Sequence, residues 1–307
     1  FCSFTIFGYG INFSKEKKVG IYANPLVEGV YEMGSIIKPL TVAAGLDAGV
    51  ITSATTYNDT GFRYINKKKV SNYDGKARHM VPVQEILNQS LNMGTIFVME
   101  RLGKEKFREY FKAYGLGEET GIDLPNEGVG VIDNLDSPRD IEPATASFGQ
   151  GIAMTPVETI RALAVLANGG VLVTPHIVKR IEYGLGLKQD FVPGGERRVL
   201  KQETSQEISR MLTLVVDEAL LGGEIKQEHY SIAAKTGTAQ QVEGGVYSES
   251  NFLHTFFGYF PAYDPKFIVF LAVKNPRGEE FASHTLTLPF SQITKFLLNY
   301  YEVPPDR

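Results

Sequence analysis

The chain has 307 residues and a formal net charge of −4, a balance that leaves no electrostatic footprint for nucleic acid. At 43% hydrophobic and 11% aromatic residues it can bury a sizeable core, which excludes a disordered chain and suits one large domain or two small ones. The single cysteine, Cys2, excludes a disulfide framework and a thiolate metal site, and no run of about 18 apolar residues is present to span a bilayer.

In chain order, the first residue is Phe1, and Phe1–Phe7 reads as the interior of a longer sequence. The expectation is a fragment whose N-terminal anchor lies outside it. Two short strands are expected at Phe4–Tyr9 and Val19–Ala23, with the charged turn Lys15–Lys18 between them. A helix follows from Ser35 to about Ala48, stopped by Gly49. Residues 51–80, including the solvated run Lys67–Lys69, read as a loop-rich insert or a small hairpin.

Helical periodicity returns at Val83–Gln89 and again at Ile96–Leu102, separated by Ser90-Leu91-Asn92. Lys104–Tyr114 reads as a surface helix. Residues 117–145, broken by Pro125, Pro138 and Pro143, read as loop. In Ser147-Phe148-Gly149-Gln150-Gly151 the glycines lack the third glycine of a dinucleotide fingerprint, so they are expected to let backbone pass close by. Thr155-Pro156-Val157-Glu158 spells a capping box with proline at the first helical position. Val171–Val178 reads as a strand and Thr204-Ser205-Gln206-Glu207 as a second capping box, whose helix buries Ile208, Met211, Leu212, Val215 and Ala219. The last hundred residues switch to period two, with strands at Ser231–Gln241, His254–Phe260 and Phe267–Lys274. An amphipathic helix, Leu286–Tyr300, closes the chain and is expected to bury Phe290, Ile293, Phe296 and Leu297. The fold class is therefore mixed α/β, an antiparallel sheet packed between helices.

Three stretches carry chemistry. Ser35-Ile36-Ile37-Lys38 puts a hydroxyl and an amine one helical turn apart, and an amine held neutral by its surroundings can take a serine proton. Ser90-Leu91-Asn92 can turn two polar side chains into one cleft, or be a helix cap followed by a turn asparagine. Ala234-Lys235-Thr236-Gly237-Thr238-Ala239 is no phosphate loop, because no glycine precedes the lysine and the flanks are strand-like. On a strand beside a cleft it offers a positive charge, two hydroxyls and a gap at Gly237, suited to a peptide carboxylate. It also reads as a strand with a glycine bulge. His79, His176, His229, His254 and His284 show no ligand spacing, so no metal or other cofactor is called for.

Ser-x-x-Lys, Ser-x-Asn and Lys-Thr-Gly in that order resemble the signature of the penicillin-recognising serine acyltransferases. Tyr31-Glu32-Met33-Gly34-Ser35-Ile36-Ile37-Lys38-Pro39 is similar to the Glu-Pro-Gly-Ser-x-x-Lys-Pro context of class B penicillin-binding proteins, with Met33 where proline is usual. Ser147–Pro156, Ala233–Gln240 and His254–Pro261 also resemble that family's transpeptidase domain, more its division-specific than its elongation branch. The resemblance implies a single transpeptidase domain over residues 1–307 with a five-stranded antiparallel sheet, lacking the family's anchor and pedestal domain.

The resemblance also implies roles. Ser35 would be acylated by a peptidoglycan stem peptide ending in D-Ala-D-Ala, Lys38 would be its base, and Ser90 and Asn92 would relay a proton and hold the substrate amide. Lys235, Thr236, Gly237 and Thr238 would form the carboxylate site, shared with β-lactams, and the N–H groups of Ser35 and Thr238 the oxyanion hole. The setting implied is the outer face of the bacterial cytoplasmic membrane, beside cell-division proteins that bind through other regions. Two rivals are a hydrolase, either β-lactamase or D,D-carboxypeptidase, and a β-lactam sensor that stops at the acyl-enzyme. The class A deacylation pattern Glu-x-x-x-Asn is absent from the sequence, and Asn92 stands where class D enzymes and sensors carry an aliphatic residue.

Overall fold

A computed structural model describes residues 2–4, 23–192, 194–243 and 245–307. The first element is β1 (Cys2–Phe4), and a 3₁₀ turn, Gly34–Ile37, runs straight into α1 (Lys38–Asp47). Four short strands follow, β2 (Thr56–Asp59), β3 (Phe62–Ile65), β4 (Lys68–Ser71) and β5 (His79–Pro82). Next come α2 (Gln84–Asn88), α3 (Asn92–Leu102), α4 (Lys104–Ala113), α5 (Ile141–Ala146) and α6 (Pro156–Ala167). Short strands β6 (Val171–Leu172), β7 (Arg180–Glu182), β8 (Lys188–Asp190) and β9 (Arg197–Arg198) lead to α7 (Gln202–Leu214). The chain then lays down β10 (Ala233–Glu243), β11 (Val246–Phe260), β12 (Phe267–Lys274) and α8 (Ala282–Tyr300).

Among the described residues the main sheet has the order β1-β12-β11-β10. β10, β11 and β12 are antiparallel neighbours, whereas β1 pairs parallel to β12. Of the two strands expected at the N-terminus only Phe4 and Ala23 are described and the rest lies outside the described residues, among which the main sheet has four strands rather than the five expected.

Period two on β11 makes the sheet a divider. Phe256 stacks on Phe290 of α8 with centroids 4.4 Å apart, and Phe260 meets the same ring edge-on at 6.1 Å. Between them a Cβ on Gly258 would sit 2.4 Å from the Phe290 ring. The alternate residues face the other way, where the Tyr259 hydroxyl lies 2.8 Å from Ser209 of α7 and Thr255 donates to Met33 O (3.0 Å). One face thus packs on α8 and the other on the layer holding α7 and the Ser35 turn. Each fully buried phenylalanine contributes about 1.5–3 kcal/mol.

Some local expectations are met and others corrected. α7 begins at Gln202 with no side-chain cap. Thr204, expected as a cap, is already helical, its hydroxyl bonded to Asp47 Oδ1 (2.8 Å), and Ser205 bonds to Leu166 O (2.7 Å). Tertiary partners took the hydroxyls that the pattern assigned to a helix end. The Thr155–Glu158 box is present, with both reciprocal bonds. The stretch 117–145 runs into α5 from Ile141, with Pro143 in its first turn, where a missing N–H costs nothing. The strand expected over Val171–Val178 is only Val171–Leu172. Residues 51–80 form two antiparallel ribbons, β2 with β5 and β3 with β4. Phe296 is exposed and stacks on exposed Tyr300, and Ile293 is half-buried; α8 turns only Leu286, Phe290 and their row inward.

Candidate active site

Ser35 lies in the 3₁₀ turn and Lys38 opens α1. With three residues per turn, residues i and i+3 eclipse, so both side chains leave one face. The approach is made by backbone alone. Gly34 has φ +65°, and a Cβ there would lie 2.9 Å from Thr238 O. Gly149, at φ +84°, passes so close to Gly34 that a Cβ would be 2.2 Å from Gly34 O. The close passage expected of the Gly149-Gln150-Gly151 segment is met at this point, and it seats the Ser35 turn against β10.

Ser90 is the meeting point of the cluster. Lys38 Nζ donates to Ser90 Oγ (3.1 Å) and, in a close contact, to Ser90 O. Lys235 Nζ donates to the same Oγ at 3.1 Å and to Thr236 O at 3.1 Å. Ser90 holds this position at φ +56°, a left-handed conformation costing a non-glycine residue about 1–3 kcal/mol and found at functional sites. The extended Leu91 then starts α3 at Asn92.

Both amines are buried, Lys38 at 0% and Lys235 at 3% exposure. Burial pulls the Lys38 pKa well below the usual lysine range, and repulsion from the Lys235 ammonium lowers it further. Burial alone brings Lys235 down to about 8. Desolvation disfavours the charged form of an amine. The cluster therefore holds one amine that gives up its proton readily and a second that stays largely cationic at neutral pH.

Other expected site residues fall less simply. Asn92 Nδ2 donates to Ser71 O (2.7 Å), which ties α3 to the end of β4. On β10, Lys235 and Gly237 pair with Phe257 and Thr255, while Thr236 and Thr238 pair with Phe256 and His254. Period two therefore splits the expected carboxylate-binding set over both faces of the strand. β10 is the edge strand of the sheet among the described residues, so a ligand lying along it reaches both faces. A Cβ on Gly237 would meet Thr255 Oγ1 at 2.4 Å and Met33 O at 2.8 Å: the glycine serves packing against the Ser35 turn. The Thr238 hydroxyl accepts from Ala282 N (3.1 Å), leaving its own proton free to donate.

Residues without an assigned role in the sequence also border this region. Thr255 bridges Met33 O and Gly237 O at 3.0 and 3.2 Å, locking the Ser35 turn to β10. His254 is held by Thr285 Oγ1 (2.8 Å) and Glu280 O (3.0 Å). Glu32 accepts from Gly151 N (3.0 Å) and the Tyr247 hydroxyl (3.1 Å). Glu32, His254 and Thr255 fall in stretches that carry the family resemblance, but their contacts, which span long separations, have no local signal.

The family model described as penicillin binding protein transpeptidase domain matches residues 9–295. Stage V sporulation protein D of Bacillus subtilis is 36% identical over 257 residues, which cover 82% of this chain and 39% of that protein. Penicillin-binding protein PbpB of Mycolicibacterium smegmatis is 29% identical over 296 residues, 92% of this chain and 46% of that one. The chain thus spans half or less of the length of these curated relatives. Among solved structures, penicillin-binding protein 3 of Mycobacterium tuberculosis complexed with aztreonam matches with a TM-score of 0.84 at 26% identity, covering 93% of this chain and 66% of that one. With the fold, the order of the motifs and the family model in agreement over nearly the whole length, this chain belongs to the penicillin-binding protein transpeptidase domain family.

Proposed function

We propose that residues 1–307 form one D,D-transpeptidase domain of the division-type class B branch, cross-linking peptidoglycan stem peptides through a serine acyl-enzyme. The observation that carries the reading is Ser90 Oγ, shared at 3.1 Å by the buried amines of Lys38 and Lys235. A hydroxyl between one amine that sheds its proton and one that stays charged is a proton relay with a fixed direction.

In this reading neutral Lys38 takes the Ser35 proton as Oγ attacks the carbonyl of the penultimate D-alanine. The oxyanion is held by the N–H groups of Ser35 and Thr238, each such donor contributing about 3 kcal/mol in enzymes where it has been removed. The proton passes from Lys38 through Ser90 to the departing terminal D-alanine, and Asn92 holds the substrate amide. Lys235, with the hydroxyls of Thr236 and Thr238, binds the carboxylate, and Gly237 lets the Ser35 turn close on β10. A primary amine of a second stem peptide then takes the acyl group. β-Lactams enter as carboxylate-bearing mimics that acylate Ser35. Because the polymer lies outside the cytoplasmic membrane, the domain works on that membrane's outer face, beside cell-division proteins.

Gel labelling with a fluorescent penicillin tests the reading. A stable band from the chain that vanishes in Ser35→Ala is expected; an equal band from both, or none from folded protein, would overturn it. A chromogenic cephalosporin separates the hydrolase rival, since one equivalent of product is expected rather than continuous turnover.

A further inference from the structure

α8 starts without a cap of its own: the residue before it is Phe281, extended and with no side-chain oxygen to give. The first N–H groups of a helix have no partner inside it. That of Ala282 is met from the sheet, by Thr238 Oγ1 on β10 at 3.1 Å. The start of α8 and the proposed carboxylate site therefore share one hydroxyl. A hydroxyl has one proton and two acceptor positions, so Thr238 serves both by accepting from the helix and donating to the ligand.

His254 holds Ala282 at that oxygen. It stands directly opposite Thr238 in the β10–β11 ladder, fully buried, on the face of the sheet that packs on α8. Both ring nitrogens engage the segment around Ala282. Nε2 lies 3.0 Å from Glu280 O, and Nδ1 lies 2.8 Å from Thr285 Oγ1. Burial draws the pKa below the usual histidine value, so the ring is neutral at neutral pH. A carbonyl can only accept, so Nε2 carries the proton and the bare Nδ1 accepts from the Thr285 hydroxyl. The imidazole thus clamps residue 280, two before Ala282, to residue 285, three after it. Thr285 Oγ1 is also 3.3 Å from Ala282 O, which ties the clamped turn to itself.

We propose that His254 is a positioning residue of the carboxylate site: by clamping Glu280 and Thr285 it holds the Ala282 N–H on Thr238 Oγ1 and keeps the Thr238 proton turned to the ligand carboxylate. The inference rests on the carboxylate-binding reading of Thr238 and names what sets that hydroxyl. Without the Ala282 N–H the hydroxyl is a rotor, and in its wrong orientations a lone pair faces the carboxylate. With the N–H in place the donating orientation is the one left, and a hydroxyl that already accepts a hydrogen bond donates a stronger one. His254 acts through Ala282 and Thr238, so its effect falls on ligands that carry the carboxylate.

The test compares two acyl donors that differ only at that group, N-benzoyl-D-alanyl thioglycolate and the corresponding thioglycolamide, with kcat/KM read from release of the thiol. His254→Phe keeps a buried ring and removes both of its hydrogen bonds. It is expected to lower kcat/KM for the thioglycolate about tenfold, the lower end of what a hydrogen bond to a charged group carries, and for the amide by less than about twofold. An unchanged ratio of the two overturns the proposal, and so does an equal fall for both donors, which marks a loosened fold. His254→Gln, which offers a donor and an acceptor, should recover most of the ratio. Should His254→Phe fail to fold, Thr285→Val decides: it removes only the half-buried hydroxyl on Nδ1 and should lower the ratio about threefold, and no change in it sinks the idea. Thr238→Val should lower the ratio at least as far, and His254→Phe added to it should lower it no further; losses that multiply would mean that His254 acts by another route. A Thr238→Val chain with the parent's ratio would instead remove the carboxylate-binding reading, and thiol release that persists in Ser35→Ala would remove the acyl-enzyme reading itself.

Discussion

Glu158 at the start of α6 and the Lys38–Lys235 pair at Ser90 are buried to the same degree, Glu158 at 1% exposure and the lysines at 0% and 3%, yet their surroundings differ in kind. Glu158 sits among donors: Gly117 N at 2.5 Å, Thr155 N at 3.2 Å and the positive field of Arg161. Burial still outweighs them and raises its pKa to about 7. The lysines have only oxygens of Ser90 and Thr236 as acceptors, with no carboxylate within the set. A buried charge wrapped in backbone N–H groups closes a helix end. A buried amine without a counter-ion among the described residues gives up its proton readily, the property the proposed base needs, and its desolvation is a stability cost to the fold.

Substituting the amine tests that difference most severely. Lys38→Met keeps the side chain's length and removes its charge. Acylation by fluorescent penicillin is expected to fall about 10³-fold or more, the scale of losing a general base together with its relay. The melting temperature should hold or rise, because the penalty for burying the amine disappears with it. A variant that acylates within tenfold of the parent chain would place the base elsewhere, and a large fall in melting temperature would make Lys38 structural.

The pH profile of acylation sharpens the same contrast without mutation. Below its depressed pKa, Lys38 is protonated and cannot accept the Ser35 proton, so the rate climbs as pH rises through that value. Above about pH 8 Lys235 loses its charge and with it the attraction for the carboxylate, so the rate falls by about tenfold per pH unit at the far limb. The result is a bell whose alkaline side belongs to Lys235. Lys235→Arg, which does not titrate in this range, should keep the acid limb and lose the alkaline one. A rate flat from pH 7 to 10 in the parent chain would break the assignment.

How far this site was legible depended on sequence distance. The motifs at Ser35, Ser90 and Lys235 are local, and although each alone also reads as ordinary structure, their order raised the chemistry proposed for them; the spacing of glycines at 149 and 151 announced a close passage whose partner, Gly34, stands more than a hundred residues away. The sequence could not say that Ser90 would be the shared oxygen, since a serine is not the usual residue for the left-handed position (φ +56°) that closes α2, where Leu91 N bonds back to Ile86 O (3.1 Å). Period two on β10 already sends Lys235 and the threonines to opposite faces; what it could not show is that β10 lies at the edge of the sheet among the described residues, where one ligand reaches both. The misread pieces share one cause: Thr204 went to Asp47, and Phe296 was left outside because α8 buries a narrower stripe than its sequence allows. Tertiary partners decided both, and neither partner is a sequence neighbour. Glu32 and Tyr247, 215 residues apart, are the extreme of the same rule.

Glu158 offers the smallest effect and the cleanest sign. Its folded pKa of about 7 lies above the 4.5 of an ordinary glutamate, so between those values the folded chain binds more protons than the unfolded one and stability falls as pH rises. The stabilisation is fully present below pH 4.5 and is lost as pH passes 7. From pH 5 to pH 8 the loss is about 2 kcal/mol, read as the change in unfolding free energy by urea titration at each pH. Glu158→Gln keeps an acceptor for the capping bond of Thr155 and removes the titration, so its stability should follow the parent chain at low pH and exceed the parent's decline above pH 7. Penicillin labelling should be unaffected by that substitution, because α6 meets the Ser90 cluster only through the core. A Glu158→Gln chain whose pH slope matches the parent's would mean that the carboxylate is charged and fully satisfied by its donors throughout, and the two kinds of buried charge would then differ in degree rather than in kind.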